Sequence, residues 1–336
     1  MNVLVTGGTG FIGSHTSVEL LACGHEVTIL DNLVNSGVEV LASIETISRK
    51  VPAFVQGDVR DRALLERVIR EHSIDSVIHF AALKSVGESW ERPLDYFDNN
   101  VTGTISLLQA MQACGVDRFV FSSSATVYGE ADQCPIPESA NTRTTNPYGR
   151  SKLICEHMLE DLATSTPSFS VASLRYFNPV GAHPSGLIGE APHGIPNNLM
   201  PYISQVASGK REYLRVFGSD YATVDGTGVR DYIHVVDLAQ AHVKALEFLA
   251  RNERSITVNL GTGQGHSVLE VVAAFERASG RQIPLRIVER RTGDVASCFA
   301  DPSVARELLG WTPSLGLDQM CIDAWRWQMR VDSMKA

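Results

Sequence analysis

The chain has 336 residues, of which 44% are hydrophobic and 20% charged, and its formal net charge at pH 7 is −9. A chain of this length buries a large core, so we expect two lobes or one elaborated domain rather than a small module. Lys and Arg never occur in a run longer than two. Together with the acidic balance, this argues against nucleic acid or an anionic membrane as a partner.

Cysteine usage and the N-terminus indicate the cellular compartment. Six cysteines are scattered without C-x-x-C spacing. The first residues enter a strand pattern at once instead of a signal peptide, and no apolar run is long enough to cross a bilayer. We therefore expect a protein of the reducing cytoplasm. His183 and His193 lack the spacing of metal ligands, and no metal is predicted.

The chain begins with a strand, a glycine turn and a helical pattern. Asn2–Thr6 is largely apolar and runs into Gly7–Gly13, a G-x-x-G-x-x-G turn whose glycines let the backbone approach a pyrophosphate. A second apolar strand, Glu26–Leu30, ends at Asp31, eighteen residues beyond Gly13. A carboxylate there accepts hydrogen bonds from both ribose hydroxyls and repels a 2′-phosphate. These features predict that the cofactor is NAD rather than NADP.

Strand and helix patterns alternate over the next part of the chain. Further strands are predicted at Ala53–Gln56, Asp75–Phe80, Arg118–Ser122 and Ser170–Arg175, and helices over 12–23, 61–72, 93–114 and 148–163. This alternation predicts an α/β fold with a doubly wound parallel sheet of the Rossmann type. Polar residues follow several of the strands, so the loops that carry them should converge on one crevice.

The pattern changes beyond Arg175, where Pro and Gly become dense and a smaller α/β lobe is expected to begin. Val235–Leu249 is again helical, and Thr257–Gly263 is predicted as a buried strand that returns to the sheet. The predicted division has two parts. An NAD-binding Rossmann domain takes 1–176 and 230–263, and a substrate-binding lobe takes 177–229 and 264–336.

Tyr148 and Lys152 lie four residues apart at the start of a predicted helix. Asn146 suits the N-cap and Pro147 the first helical position, so the spacing places both side chains on one face. Lowering the pKa of a phenol from ~10 to about 7 takes roughly 4 kcal/mol, which a nearby ammonium or an oxidised nicotinamide can supply. The pair thus indicates hydride transfer at a hydroxyl, although the same spacing also occurs where an aromatic ring packs under a lysine stem.

Taken in order, these segments resemble the extended short-chain dehydrogenases and, among them, the UDP-glucose 4-epimerase family. The resemblance covers essentially the whole chain. It rests on Gly7–Gly13, Asp31–Leu33, Phe80–Lys84, Asn99–Asn100, Ser122–Gly129, Tyr148–Lys152, Leu174–Ala182, Asn197–Pro201 and Asp225–His234. Phe11 stands where many members have Tyr, a conservative change.

The resemblance implies an isomerase that inverts C4 of the hexose in UDP-glucose and UDP-galactose. The route is transient oxidation to a 4-keto sugar, rotation of that sugar and return of the same hydride, with NAD as the cofactor. Tyr148 is the implied base, Lys152 holds the nicotinamide ribose and keeps the phenol ionised, and Ser124 bonds to the O4 region. The resemblance also implies a homodimer packed through the helices over 93–114 and 148–163.

Further contacts are carried over from the family residue by residue. The implied cofactor contacts are Gly7, Gly10, Phe11, Ile12, Gly13, Asp31, Asn32, Asn35, Ser36, Asp58, Val59, Phe80, Ala81, Ala82, Lys84, Asn99, Ser122, Tyr148, Lys152 and Phe177. The implied substrate contacts are Lys84, Ser124, Ala125, Thr126, Tyr148, Asn178, Asn198, Leu199, Val216, Phe217, Arg230, Arg291, Asp294 and Cys298.

Several of these residues also have an ordinary explanation. Arg230 and Arg291 resemble the clamps of the diphosphate, but exposed arginines commonly form surface ion pairs. Asn178 and Asn198 lie beside prolines or asparagines, so turn formation is the alternative explanation, although we favour substrate contact.

Cys298 occupies a position, four residues after Asp294, where many bacterial relatives carry a Tyr. Exchanging an aromatic ring for a thiol opens space of about the size of an acetamido group. We therefore hypothesise that the protein also interconverts UDP-GlcNAc and UDP-GalNAc. The alternative is that a neighbouring side chain fills the space.

Two other functions fit the same sheet. A nucleotide-sugar 4,6-dehydratase also oxidises C4 transiently, but that family has an Asp-Glu pair directly after the active-site hydroxyl residue. Here Ala125 and Thr126 follow Ser124. A non-catalytic NAD-sensing regulator would lack the Tyr/Lys pair, which this chain retains.

Overall fold

The computed structural model describes residues 1–192, 194–291 and 293–335. Its strands are β1 Asn2–Thr6, β2 Glu26–Asp31, β3 Ala53–Gln56, β4 Ser76–His79, β5 Arg118–Ser124, β6 Ser170–Tyr176, β7 Asn178–Val180, β8 Leu214–Phe217, β9 Val229–His234, β10 Ile256–Leu260, β11 Gly265–Ser267, β12 Leu285–Val288 and β13 Ser297–Cys298. Its helices are α1 Phe11–Ala22, α2 Val40–Ser48, α3 Arg62–Glu71, α4 Val86–Glu91, α5 Pro93–Phe97, α6 Gly103–Cys114, α7 Pro147–Ser165, α8 Leu199–Ala207, α9 Val235–Asn252, α10 Val268–Ser279, α11 Ser303–Leu309 and α12 Leu317–Lys335.

Seven of the strands in the described residues form one parallel sheet, in the order β10-β6-β5-β4-β1-β2-β3. Strands β4 and β6 are buried along their whole length, because helices cover both faces of the sheet. The strand order reverses between β1 and β4, and a crevice for ligands opens beyond the carboxyl ends of strands at such a point. The predicted doubly wound α/β fold is confirmed.

Two hydrophobic cores hold the helices on the sheet. On one face, α1 and α9 bury residues such as Leu20 and Leu246 against Val5 of β1. On the other face, α3 and α6 pack together and contribute Leu65 and Met111 to the second core. Each such side chain gains about 1.5–3 kcal/mol from leaving water, so the sheet is a rigid platform for the loops at its edge.

Several predicted elements differ from the structure by a few residues at their ends, and two of the differences have a visible structural reason. The helix predicted over 93–114 is α5 and α6 joined by a π-helical turn at Asp98–Thr102. The strand predicted as Thr257–Gly263 ends at Leu260. A Cβ at Gly261 would lie 2.5 Å from the Asp231 carboxylate, and Gly263 has a φ of +77°, so the backbone turns away from the sheet at these residues.

The C-terminal part of the chain forms smaller sheets. Strand β9 pairs with β7, β11 and β13, and β8 pairs with β12. Helices α8, α10 and α12 cover these strands around Met200, Phe275 and Met320. None of the helices in the described part of the chain combines the length and hydropathy that crossing a membrane requires.

The boundaries of the two lobes stay a prediction, and two elements bear on them. The predicted division places β9, from residue 230 onward, in the NAD-binding domain, but within the described residues β9 pairs only in the smaller sheet. The same division places α11 in the substrate lobe, but α11 packs against α9 and β10, and its Ala305 and Leu309 belong to the core of the larger sheet. The chain thus crosses between the lobes more often than its composition indicates.

Candidate active site

The glycine turn after β1 lies directly against the loop that follows β4. Gly7 has a φ of +70°, and a Cβ there would lie 2.7 Å from the amide nitrogen of Ala81. A Cβ on Gly13 would lie 2.3 Å from the Gly7 carbonyl oxygen. Gly10 caps α1 without a side chain, so the first amides of that helix stay open. A cradle of this shape fits a pyrophosphate.

Asp31 is held rigidly at the end of β2, beside the glycine turn. Its Oδ2 accepts a hydrogen bond from the Thr9 amide at 3.1 Å, and its Oδ1 accepts from the Leu33 amide at 2.9 Å. Ser36 Oγ also donates to Oδ1, at 3.3 Å. The carboxylate is therefore buried but oriented, in the position that the sequence predicts for ribose recognition.

The adjoining loops bring other predicted cofactor contacts together. Asn32 Nδ2 donates to Asp58 Oδ2 at 3.4 Å. Hydrogen bonds from Arg60 lower the pKa of Asp58 to about 2, so this carboxylate is charged at neutral pH. Val59 is 4% exposed and packs beside Gly103 of α6, which leaves only its backbone to face a ligand. Asn35 lies exposed on the same loop as Ser36.

Asn100 ties the loop after β4 to the helix that carries Tyr148. Its Oδ1 accepts from the Leu83 amide at 2.8 Å, and its Nδ2 donates to the Leu83 carbonyl at 3.0 Å and to Ser151 Oγ at 2.9 Å. The predicted contact, Asn99, donates to Asn100 Oδ1 at 3.0 Å. Sequence reasoning missed the role of Asn100. Two consecutive asparagines at a helical position were the available signal, because Asn is a poor helix former.

Helix α7 starts as the sequence predicts. Asn146 is the N-cap and its Oδ1 accepts from the Gly149 amide at 2.8 Å, while Pro147 occupies the first turn. A Cβ at Gly149 would lie 3.0 Å from the Thr126 carbonyl oxygen. This close approach brings the first turn of α7, and with it Tyr148, against the segment that follows β5.

Ser124 is the residue at which β5 ends, and it faces Tyr148. Its Oγ caps the turn Ala125–Val127, accepting from the Thr126 amide at 3.2 Å and from Thr126 Oγ1 at 2.9 Å. Burial raises the pKa of Tyr148, and a hydrogen bond with Ser124 opposes that rise. The predicted catalytic hydroxyl and phenol are thus adjacent.

Lys152 lies one turn further along α7 and is 3% exposed. Its Nζ donates to the Ser122 carbonyl at 2.7 Å and approaches Ser122 Oγ at 3.3 Å, and it lies 4.9 Å from the centre of the Phe121 ring. Burial lowers the pKa of Lys152 to about 8, against the attraction of Glu156. The ammonium is therefore present at neutral pH but close to losing its proton.

A buried ion pair fixes α7 on the sheet beneath these residues. Glu156 accepts two hydrogen bonds from the Arg175 guanidinium, at 2.9 and 2.6 Å, and both side chains are almost fully buried. Ser123 Oγ donates to the same carboxylate. A bidentate pair of this kind has a specific geometry, so it holds the register between α7, β5 and β6.

Lys84 and Asn198, both predicted substrate contacts, meet at one carboxylate. Glu190 Oε1 accepts from Lys84 Nζ at 3.2 Å and from Asn198 Nδ2 at 2.7 Å. No sequence motif indicates Glu190, because its contact with Lys84 forms only where the two lobes meet. Asn198 also precedes α8 as its N-cap, but its side chain makes no capping bond.

The predicted diphosphate clamps lie on either side of Asp294. Arg291 Nε donates to Asp294 Oδ2 at 2.9 Å, and the nearest approach of Arg230 to Asp294 is 4.0 Å. The Arg291 guanidinium lies 4.6 Å from the centre of the Phe217 ring. These four residues form one cluster in the smaller lobe, with both guanidinium groups partly accessible. Val216, next to Phe217, is 1% exposed, so only its backbone can reach a substrate.

Cys298 lies next to this cluster, since β13 pairs it with Arg230 of β9. Its thiol is partly buried against the small core of Phe177 and Ala125, and burial raises its pKa to about 11. The thiol is therefore neutral and unreactive at physiological pH.

Asn178 and Leu199 occupy element ends in the same lobe. Asn178 begins β7 opposite Tyr232. Leu199 begins α8 and packs against the hydrophobic core of the smaller lobe.

In the described parts of the chain, no three His, Cys, Asp or Glu side chains are arranged to hold a metal ion. His193 lies outside those parts.

The chain is similar to known proteins along nearly its whole length. The family model described as GDP-mannose 4,6 dehydratase matches residues 4–324. A UDP-glucose 4-epimerase of Bacillus subtilis is 57% identical over 328 residues, which cover 98% of this chain and 97% of that protein.

Two solved structures are also similar. One is a UDP-glucose 4-epimerase from Stenotrophomonas maltophila with bound NAD and formylated UDP-arabinopyranose; it is 58% identical, with a TM-score of 0.98 and 100% of both chains covered. The other is a UDP-glucose 4-epimerase from Bifidobacterium longum in complex with NAD⁺ and UDP, 51% identical, with a TM-score of 0.95 and 98% of both chains covered. The chain therefore belongs to the UDP-glucose 4-epimerase family of extended short-chain dehydrogenases.

Proposed function

We propose that the protein is an NAD-dependent UDP-glucose 4-epimerase that interconverts UDP-glucose and UDP-galactose. The observation that carries this proposal is the position of Tyr148 against Ser124, with Lys152 one turn away, at the same edge of the sheet as the glycine turn that follows β1. Inverting a secondary alcohol involves no net redox change. The hydrogen on C4 cannot leave as a proton, however, because nothing beside it stabilises a carbanion.

The chain's own residues handle the proton and hold the substrate. When bound, NAD⁺ supplies a hydride acceptor, and the glycine turn and Asp31 are the residues that would hold it. Tyr148 takes the proton of the 4-hydroxyl as the C4 hydrogen leaves, and Ser124 hydrogen-bonds the same oxygen. After the 4-keto sugar has turned over, Tyr148 returns the proton to O4 on the opposite face.

Two pKa shifts set the conditions for this chemistry. Burial raises the pKa of Tyr148, which opposes a phenolate, so positive charge nearby has to compensate. Lys152 supplies one such charge while it keeps its proton, and its pKa of about 8 leaves it protonated at neutral pH. The hydrogen bonds to Ser122 keep the ammonium at a fixed place beside the cofactor site.

A C4 inversion also requires that the nucleotide is bound tightly and that the hexose is bound weakly enough to rotate. Arg230 and Arg291 hold the diphosphate, because guanidinium groups match phosphate oxygens in bidentate fashion. Asp294 lies between them and lowers their mutual repulsion. Only the sugar then swings about its bonds to the phosphate, so either face of C4 can be presented.

The dehydratase alternative requires an acid and a base for the loss of water. In this chain the turn after Ser124 carries the Ala125 methyl and the Thr126 hydroxyl, and the latter is bonded to Ser124. Neither side chain can serve as a strong base. The regulator alternative is disfavoured because Tyr148, Lys152 and Ser124 are all retained around one crevice.

The direct test is to purify the protein, denature a sample and look for released NAD, and then to incubate native protein with UDP-galactose without added cofactor. UDP-glucose is the expected product. A 4-keto-6-deoxy sugar would instead indicate the dehydratase, and folded protein without turnover would indicate the regulator.

The pocket argument extends the proposal to UDP-GlcNAc and UDP-GalNAc. Cys298 is small and lies beside Arg230, where a larger residue would narrow the space for a substituent at C2 of the sugar. Turnover of both sugar pairs, measured side by side, tests this extension.

The proposal includes a homodimer in the cytoplasm. The apolar side chains of Trp90, Leu94, Ile105 and Ile154 are exposed on the helices α4 to α7, which favours a partner surface there. Analytical ultracentrifugation is expected to give twice the monomer mass, and a monomer alone would contradict the dimer.

The proposed location in the cytoplasm is supported by the cysteines. All six are free, as expected in a reducing compartment, and cell fractionation tests the location.

A further inference from the structure

Glu190 joins two proposed substrate contacts, one from each lobe. Lys84 follows β4 at the edge of the large sheet, whereas Asn198 precedes α8 in the smaller lobe. Both donate to the same Glu190 oxygen. Nearby, Asn197 Nδ2 donates to Ser85 Oγ at 3.2 Å, so the lobes are bridged twice at this place.

The backbone of Glu190 is anchored to the smaller lobe. Its carbonyl oxygen accepts from Trp327 Nε1 at 2.9 Å, and a Cβ on the preceding Gly189 would lie 2.5 Å from the Trp327 ring. The Glu190 side chain is 12% exposed, whereas that of Lys84 is 58% exposed. Glu190 is therefore the fixed member of the pair, and it determines where the longer lysine side chain rests.

The charge of this pair bears on which sugar the site accepts. A UDP-hexose carries its negative charge on the diphosphate, and its sugar ring is neutral. A UDP-hexuronate carries a further negative charge, on the carboxylate at C6 of the sugar. An ammonium without a counterion beside the ring would attract that carboxylate, whereas an ammonium already paired with a carboxylate would not.

We infer that Glu190 is a specificity-determining residue, which neutralises Lys84 and thereby sets the sugar site for neutral hexoses rather than hexuronates. The inference rests on the proposed function and on the family resemblance, which implies that Lys84 contacts the substrate as well as the cofactor. Glu190 acts through Lys84 and Asn198, so it is a positioning residue and takes no part in the proton transfer.

The experiment compares the binding of UDP-glucuronate and UDP-glucose to the NAD-loaded protein by calorimetry. In Glu190→Gln, the ratio of the Kd for UDP-glucuronate to the Kd for UDP-glucose should fall about threefold or more, the range expected for an exposed ion pair. Glu212→Gln is the matched control, because Glu212 pairs with Arg286 at the same distance, 3.2 Å, on the surface of the smaller lobe. Its ratio should equal that of the wild type.

A reciprocal variant keeps the inference testable if Glu190→Gln does not fold. Lys84→Gln leaves the Glu190 carboxylate without its cation, so the same ratio should rise. A ratio in Glu190→Gln that equals the control, or a ratio in Lys84→Gln that does not rise, overturns the inference. Binding requires no turnover, so absent UDP-galactose conversion by the wild type would refute the proposed function while the binding ratios still decide the role of Glu190.

Discussion

The two sides of the crevice are built differently. On the NAD side, Asp31, Ser124 and Lys152 are all less than 10% exposed and are held by hydrogen bonds to neighbouring backbone. On the substrate side, Arg291 is 54% exposed, and among the described residues it contacts the Asp294 carboxylate and the Phe217 ring. The first side is rigid before any ligand arrives, whereas the second can adjust.

This difference matches the two tasks of an epimerase. Proton and hydride transfer require reacting atoms at fixed distances, because a small displacement is costly for the rate. Sugar rotation requires a firm hold on the diphosphate and few fixed contacts to the ring. Substitutions on the NAD side should therefore act mainly on kcat, and those on the substrate side mainly on KM or on the choice of sugar.

The largest effect is expected for Tyr148→Phe. Losing the general base should lower kcat by roughly 10²–10⁴-fold, with NAD still released on denaturation. Steady-state kinetics with UDP-galactose measures this change. Tyr202→Phe on α8 removes the same hydroxyl far from β5 and should leave kcat within about threefold of the wild type. A Tyr148→Phe enzyme with wild-type kcat would refute the assignment of the base.

Lys152→Met should lower kcat by about 10² or more, because it removes the charge that supports the phenolate. In the wild type, kcat should fall above about pH 8 as Lys152 loses its proton.

The same variant should be more stable than the wild type when both are free of NAD. The folded pKa of Lys152, about 8, lies below the ordinary 10.5. Below pH 8 the wild type thus carries a buried charge at a cost of roughly 3 kcal/mol, partly offset by its hydrogen bonds, and this cost disappears as the pH rises from 8 to 10.5. Urea unfolding should show a gain of about 1–2 kcal/mol at pH 7 that shrinks over this window. A loss of stability at pH 7 would contradict the account.

Arg230→Gln tests the substrate side. Losing charged hydrogen bonds worth about 1.5–3 kcal/mol should raise KM for UDP-galactose roughly 10- to 100-fold and change kcat little. Arg290→Gln is the control, since Arg290 bonds to Asp220 at 2.7 Å and stacks on Tyr221 outside the proposed clamp. If both variants shift KM equally, Arg230 has no special role.

The smallest effect on the main reaction is expected for Cys298→Tyr. The larger ring should lower turnover of UDP-GalNAc by about tenfold or more through steric overlap and leave UDP-galactose within about threefold. Cys298→Ser keeps the volume and should preserve both activities. An equal response of both sugar pairs to Cys298→Tyr would show that the pocket argument is wrong.

How far the sequence could predict the site depends on the range of the interactions. The start of α7 was predictable because Asn146 and Pro147 act within one turn, and Asp31 because it ends an apolar strand. The π turn with Asn100 was not, since its bonds to Leu83 and Ser151 arise only when β4 and α7 meet. Glu190 has no motif, because its contact with Lys84 joins residues far apart in the sequence and forms only where the two lobes meet.

The central claim is that the hydrogen leaving C4 returns to the same carbon. UDP-galactose labelled with deuterium at C4 can be converted in ordinary water, and the product analysed by mass spectrometry and NMR. We predict UDP-glucose that retains the deuterium at C4, because Tyr148 exchanges only the hydroxyl proton with solvent. Loss of the label to water would contradict the account, since it would mean that C4 is deprotonated rather than oxidised.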